Sequence, residues 1–366
     1  MTSDEKLKLI TRNLEEVLTE EELRSLIDSG TSLKHYIGFE ISGKVHLGTG
    51  LATLLKVKDF HDAGAETVIW LADWHGWINN KLDGTLETSQ KMARSYFAEA
   101  MKAAYLCIGG DPETLIFKQG SELYAEKPEF WATTIKVAKA TTISRMMRST
   151  TIMGRIAGES SDTATLFYPA MQAADIFTLE VNLAHAGTDQ RNVHVVAREA
   201  AKALDKPKPI AIHHHLLQGL LKPDITEGDK EDIKVALKMS KSKPDSAIFI
   251  HDEPAEIKRK INNAYCPEAV VEFNPILDWV KHLIFYNSAT PGDSLQIQRD
   301  QKWGGDLSYN SYEELEKDYV EKKLHPQDLK NAVAEWLIKK LEPARKYFED
   351  PKRKEALEEI EDLTKS

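Results

Sequence analysis

Apolar residues recur along this chain with two periods, and the switching between them predicts its elements. Within residues 4–29, Leu7, Ile10, Leu14, Val17, Leu23 and Leu26 stand mostly three or four apart, the spacing of one helical face. Thr19 followed by Glu22 has the form of a capping box, so N-terminal helices are expected over 1–30. His35–Phe39 is a short apolar run suited to a buried strand, and Ser42–Gly48 is a glycine-punctuated turn. Leu47, Leu51, Leu54, Leu55 and Phe60 mark a helix that Gly64 stops, and Thr67–Ala72 is the next buried strand. Strand, turn, helix and strand form a βαβ unit, which requires a parallel sheet.

The switching continues. A long helix is expected over 85–106, a strand over Thr114–Phe117, and a helix over 128–156 that carries Lys136, Lys139, Arg145, Arg148 and Arg155. Tyr168–Leu179 predicts a helix on which Gln172 and Asp175, three apart, share a face. Val181–Ala186 reads as a strand, Asp189–Leu204 as a helix and Pro209–His214 as a strand. From Pro254 onward helices dominate. The expected class is α/β: a Rossmann-like, doubly wound parallel sheet domain over 31–250, with a helical connecting segment at about 126–165, then an all-α C-terminal domain over 251–366. Ligands of such a sheet bind beyond the carboxyl ends of its strands.

Composition narrows this only a little. The 366 residues are 42% hydrophobic and 29% charged, an ordinary globular balance. No apolar run approaches the length of a membrane span, and the first residues lack a signal-peptide core. Cys107 and Cys266 lack zinc spacing and suggest no disulfide framework, so a cytoplasmic location is expected. A net charge of −10 argues against wholesale coating of nucleic acid but leaves room for a local basic patch.

Two stretches carry chemistry. At the end of the first strand stand Gly43, His46 and Gly48. A helix that begins there aims unpaired N–H groups at the strand ends, which favours phosphate. Gly48 lets a flat base approach the backbone, and His46 can donate to a phosphate oxygen. The same residues also suit a plain glycine turn capped by a histidine. Far downstream runs Lys238-Met239-Ser240-Lys241-Ser242, closed by Lys243, Pro244 and Asp245. It has no helical or strand period, and Pro244 stops a helix. It is a basic loop that can close over the phosphates of ATP, or else a solvated one.

Together, the His-x-Gly turn and the Lys-Met-Ser-Lys-Ser run resemble the two signature motifs of class I aminoacyl-tRNA synthetases. The resemblance implies activation of an amino acid by ATP with release of pyrophosphate, then transfer to tRNA. It assigns ATP binding to Gly43, His46, Gly48, Thr49, Lys238, Met239, Ser240, Lys241 and Ser242. His46, Lys238 and Lys241 would be catalytic, gripping phosphates in the transition state by position and charge. The chain departs from the pattern once: Thr49, shorter and uncharged, stands where the family has a second histidine.

Further stretches are similar to tyrosyl-tRNA synthetases of the archaeal and eukaryotic branch: Tyr36–Glu40 with Ser42-Gly43, Tyr168–Ile176, Asp189-Gln190-Arg191, and His325–Ala332. By that resemblance Tyr36 and Asp175 bind the substrate phenol, while Tyr168, Gln172 and Gln190 hold the α-amino group of L-tyrosine. Asp175 lies among Ala174, Ile176 and Phe177, and a carboxylate on so apolar a helix is costly unless paired. A structural aspartate is the plainer reading of the same residue. Trp70, Trp74, His75 and Trp77 make an aromatic strand end, expected to pack beneath the pocket.

The resemblance further implies contacts to tRNA(Tyr) by Arg145 and Arg148 at the acceptor end, and by Trp303, His325 and Asp328 at the anticodon, in the C-terminal domain. It also implies a homodimer and Mg2+ arriving with ATP, without a prosthetic group. His213-His214-His215 does not read as a metal site, since consecutive strand residues point to alternate faces; one of them is expected near the adenosine. A tryptophanyl enzyme, a non-catalytic tRNA-binding relative and a small-molecule adenylyltransferase are the competing readings.

Overall fold

The computed structural model describes residues 1–153, 162–223, 237–239, 243–287 and 294–365. Its main sheet has the strands β1 (Leu14–Leu18), β2 (Lys34–Glu40), β3 (Glu66–Ala72), β4 (Ile116–Gln119), β5 (Leu183–Gly187) and β6 (Ile210–His214). Their order across the sheet is β1-β6-β5-β2-β3-β4. All pairs are parallel except β1 with β6. Strand order reverses between β2 and β5, the switch point at which a doubly wound sheet opens a crevice.

Period-two alternation sends neighbouring residues of β2 into different cores. Ile37 joins Ile69, Leu71, Leu51 and Leu54, and that core continues to Trp279, Leu337 and Ile360 of the C-terminal helices. Tyr36 points the other way, with Val68 and Trp70, against Ala173 and Ala174 of the helix Tyr168–Thr178. Tyr36, Trp70 and Asp175 thereby share one face of the sheet.

The first thirty residues differ from the expected helices. Helices Ser3–Thr11 and Glu20–Asp28 do form, each behind a complete capping box from Thr2 and Thr19, and such caps are typically worth ~1 kcal/mol. Between them Leu14–Leu18 is a strand. Asn13 has φ 53°, which ends the preceding helix, and Thr19 starts the next. The five residues left are too few to nucleate a helix, and the open edge of β6 gives their backbone a ladder.

Other boundaries move for similar local reasons. Asp111 accepts from Glu113 N–H and turns Pro112–Thr114 into a 3₁₀ turn, so β4 starts two residues later than the apolar run. The helix expected over 128–156 is two, Glu129–Lys139 and Ile143–Ser149, because Thr142 caps the second. Residues 154–156 lie outside the described residues. Among the described residues, the regular structure of the C-terminal part is helical apart from a small ribbon of β7 (Leu295–Ile297) and β8 (Leu307–Tyr309). A buried charge network ties the N-terminal segment down: Lys56 Nζ donates to Asp59 Oδ2 at 2.8 Å and to the Arg12 carbonyl at 2.8 Å, and Tyr286 Oη donates to Asp59 at 2.6 Å.

Candidate active site

A cavity of about 270 Å³ opens at the switch point. It is lined by Tyr36, His46, Gly48, Thr49, Tyr168, Gln172, Asp175, Gln190, Lys238 and Met239, along with residues that the sequence did not single out. Stretches from 36 to 239 thus meet in one place. Ser240, Lys241 and Ser242 lie outside the described residues. Gly43 is not among the lining residues; its φ of 132° serves the turn that leads to His46.

The turn that carries His46 and Gly48 is built on a π-helical start. Gly48–Ala52 closes a wide turn, Ala52 N–H reaching the Leu47 carbonyl at 3.0 Å, and the α-helix Thr53–Asp62 follows. Such turns occur often at functional sites. A Cβ on Gly48 would stand 3.2 Å from the His46 ring, so glycine is what keeps this wall open. Thr49 N–H donates to His46 Nδ1 at 3.3 Å, and Thr49 Oγ1 lies 3.3 Å from Nε2. Thr49, in the place of the second histidine, therefore braces the first.

Lys238 enters from a chain stitched to Leu217–Gly219 by the Gly219 N–H to Leu237 carbonyl bond (2.6 Å) and the Met239 N–H to Leu217 carbonyl bond (3.3 Å). Its ammonium donates to Asp189 Oδ2 at 2.6 Å. Asp189 also lines the cavity.

Across the cavity Asp175 is fully buried. Its Oδ1 accepts from Tyr124 Oη at 2.7 Å and its Oδ2 from Trp70 Nε1 at 3.1 Å. His75 Nε2 stands 3.7 Å from Oδ2, and burial pushes that ring down to about 3, so it is neutral. Burial drives the Asp175 carboxyl well above its usual range, while the Tyr124 and Trp70 donors pull the other way. Burial and the nearby Asp175 charge likewise push the Tyr36 hydroxyl up. The pair can take a phenol: an oxygen of Asp175 to accept its hydrogen bond, and a neutral Tyr36 hydroxyl beside it to donate one.

The remaining wall offers acceptors. Gln172 Nε2 donates to Gln190 Oε1 (3.2 Å), and Gln190 Nε2 to the Ile152 carbonyl (3.1 Å), which leaves Gln172 Oε1 as the acceptor of that chain. Tyr168 Oη donates to Glu40 Oε1 at 3.4 Å, and Asn79 Nδ2 to the same oxygen at 2.6 Å. Oxygens of this kind suit an ammonium group.

A profile described as tRNA synthetases class I (W and Y) matches residues 28–342. A tyrosine–tRNA ligase from Thermococcus sibiricus is 52% identical over 363 residues, 95% of this chain and 96% of that protein. One from Pyrococcus furiosus is 51% identical over 95% of this chain and 96% of its own length. The crystal structure of a tyrosyl-tRNA synthetase from Pyrococcus horikoshii, complexed with L-tyrosine, superposes with a TM-score of 0.93 at 49% identity, covering 99% of this chain and 100% of that one. The chain belongs to the class I tRNA synthetases, among the tyrosine–tRNA ligases of the archaeal and eukaryotic type.

A tryptophanyl-tRNA synthetase from Encephalitozoon cuniculi shares the synthetase fold at 18% identity and a TM-score of 0.64, a likeness of architecture alone. Within the tyrosine–tRNA ligase frame, Trp70 corrects the sequence reading: it does more than pack, because its indole N–H holds Asp175. Tyr124, Glu40 and Asp189 were given no role by the sequence, and His75 only a packing one. Tyr124 lies 51 positions from the carboxylate it serves, so no local pattern signals it. Asp189 was visible within Asp189-Gln190-Arg191, but not its pairing with Lys238.

The residues expected to meet tRNA lie outside the cavity. Arg145 pairs with Glu199 at 2.8 Å, and Arg148 is exposed on the same helix. Trp303 is 68% exposed beside the ribbon, and His325 caps the helix Pro326–Lys340 one turn before Asp328. The three consecutive histidines separate as expected: His213 bonds Glu16, His214 bonds His185, and His215 bonds Asp278. His214 and His215 line the cavity. His215, Asp278 and His282 have ligand atoms close together, but there the Asp278 carboxylate is committed to His215 at 2.7 Å and to Gln218 N–H at 2.9 Å, an ion pair.

Proposed function

We propose that this cavity is where the chain, a tyrosine–tRNA ligase, joins L-tyrosine to ATP with release of pyrophosphate and then passes the tyrosyl group to tRNA(Tyr). The observation that carries the reading is Asp175, a buried carboxylate lining the cavity between two donors, with Tyr36 on the same face. The substrate phenol donates to Asp175 and accepts from Tyr36. Phenylalanine would forfeit the hydrogen bonds to both buried groups, a penalty of about 1–3 kcal/mol for each. Gln172, Gln190 and Tyr168 receive the α-ammonium group, with Glu40 behind Tyr168.

ATP lies toward Gly48, His46 and Lys238, with Met239 beneath. His46, Lys238 and Lys241 stabilise the phosphate charge as it moves onto pyrophosphate, and Ser240 and Ser242 stand in the same Lys-Met-Ser-Lys-Ser run of the sequence. Mg2+ arrives on the ATP phosphates and needs no carboxylate cage of its own. Arg145 and Arg148 face the acceptor end of tRNA, while Trp303 stacks on an anticodon base that Asp328 and His325 flank. The chain acts as a homodimer in this reading; Trp131, Ile135, Ile143 and Met147 expose apolar surface within 131–147, which favours an interface there. A cytoplasmic location agrees with the unpaired thiols of Cys107 and Cys266. No helix among the described residues is long and apolar enough to cross a membrane.

ATP–pyrophosphate exchange measured with tyrosine, tryptophan and phenylalanine side by side tests the assignment. Exchange with tyrosine alone is expected; strong exchange with tryptophan and none with tyrosine would overturn it.

A further inference from the structure

Three imidazoles run diagonally beneath the cavity. His35 on β2, His185 on β5 and the terminal His214 of β6 belong to neighbouring parallel strands. In register His35 faces Leu183 and His185 faces Ile212, so each histidine lies two residues further along than the one before. A step of two keeps the side chains on one face of the sheet. His35 Nε2 is 3.0 Å from His185 Nδ1, and His185 Nε2 is 2.8 Å from His214 Nδ1. The string begins in the core, where His35 is stacked on Phe60, and ends at the cavity wall.

Burial holds all three rings neutral, lowering His35 to about 3, His214 to about 4 and His185 well below its ordinary value. A neutral imidazole carries one N–H, so two bonds among three rings leave one proton at an end, and the string has a direction. Either His214 presents Nε2–H to the cavity and His35 Nδ1 is a bare lone pair, or His35 Nδ1 bears a proton and His214 only accepts. His35 Nδ1 is buried with no hydrogen-bond partner. Orphaned buried N–H groups are rarer than under-satisfied acceptors.

Two further observations choose the same sense. The neighbouring string has its direction set by a carboxylate: His213 Nδ1 donates to Glu16 Oε2 at 2.8 Å, so its Nε2 accepts from His194 Nδ1 at 3.1 Å. The atom left over there, His194 Nε2, is again a buried lone pair without a partner. The local charges agree as well. The Lys56 ammonium acts on His35 and the Asp189 carboxylate on His214, a field that favours N–H bonds aimed from His35 toward the cavity.

We propose that His35 and His185 are positioning residues that fix His214 as a hydrogen-bond donor, through Nε2–H, to an oxygen of the bound nucleotide near Asp189 and Lys238. The nucleotide half of this inference rests on the reading of the cavity as the ATP site. The tautomer half does not.

Long-range ¹H–¹⁵N correlation spectra of the full chain labelled at histidine, with assignments from His→Gln variants, test the tautomer half directly. Protonated Nε2 and bare Nδ1 at His35, His185 and His214 are expected; protonated Nδ1 at His214 overturns the relay. Kinetics test the rest. His214→Gln keeps a donor near Nε2 and should leave the KM for ATP within about twofold. His214→Phe should raise it about tenfold, the worth of one hydrogen bond, with the KM for tyrosine unchanged. His185→Phe should raise the ATP KM in the parent but not in His214→Gln. An equal effect in both backgrounds would make His185 merely structural and overturn the positioning role. A correct tautomer with no change of ATP KM in His214→Phe would remove the nucleotide half and leave the string's direction standing.

Discussion

The indole N–H of Trp70 donates to Asp175 Oδ2 at 3.1 Å, so the carboxylate we assign to the substrate phenol is held from a different strand. Tyr124 holds its other oxygen at 2.7 Å. Asp175→Ala removes the substrate's acceptor and orphans both donors. We expect tyrosine activation to fall by about 30- to 1000-fold, from a loss of about 2–4 kcal/mol, with ATP binding nearly unchanged. Unaltered tyrosine-dependent exchange would sink the pocket assignment.

Trp70→Phe separates holding from packing. The ring volume largely remains, but Asp175 loses one donor. The KM for tyrosine should rise about tenfold, the worth of one buried hydrogen bond. An unchanged KM with lower thermal stability would return Trp70 to a packing role.

Because Thr49 is an uncharged donor, we expect the positive charge on the phosphates to come chiefly from the lysine loop. Lys238→Ala should therefore cost more exchange rate than His46→Ala, measured at saturating ATP. Comparable losses would count against this division of labour.

Trp303 is exposed and does not line the cavity, so Trp303→Ala should spare ATP–pyrophosphate exchange. Aminoacylation of tRNA(Tyr) should fall about 5- to 150-fold in kcat/KM, the 1–3 kcal/mol typical of a base stacked on an aromatic ring. Loss of both activities together would show a folding defect instead of an RNA contact.

His215 gives a pH prediction. Burial works to lower its pKa, but Asp278 at 2.7 Å and Glu15 at 2.8 Å overcome that and raise it from 6.5 to about 9. A raised folded value stabilises fully below pH 6.5 and is lost as pH climbs through about 9. The loss is of order 3 kcal/mol. Thermal melts of the parent should decline across that window, and Asp278→Asn should show a shallower decline. Parallel curves would remove His215 as the cause.

Local pattern revealed what local physics decides. The buried strands, the caps at Thr19 and Tyr168–Thr178 as a helix with Asp175 on an apolar face all follow from spacing within a few residues. Leu14–Leu18 did not, since Leu14 and Val17 fit a helical stripe as well as a strand, and the deciding partner is β6, some two hundred positions away. The Trp70 contact spans 105 positions, and a buried strand reads the same whether its indole packs or donates. The three histidines at 213–215 could be told to diverge, but not toward whom. Polar partnerships across the sheet are set by register, which a single sequence does not display.

The Lys238–Asp189 contact bears on how the proposed reaction cycle begins and ends. The ammonium is already paired at 2.6 Å, so in the proposed cycle ATP does not fill an unmet positive charge; it displaces a carboxylate. Entry is then an exchange of one anion for another, which blunts affinity for ATP. The same trade runs backward once pyrophosphate departs, because Asp189 stands ready to reclaim the lysine. Asp189 thus acts as a counterweight, and its removal should make the first product harder to shed.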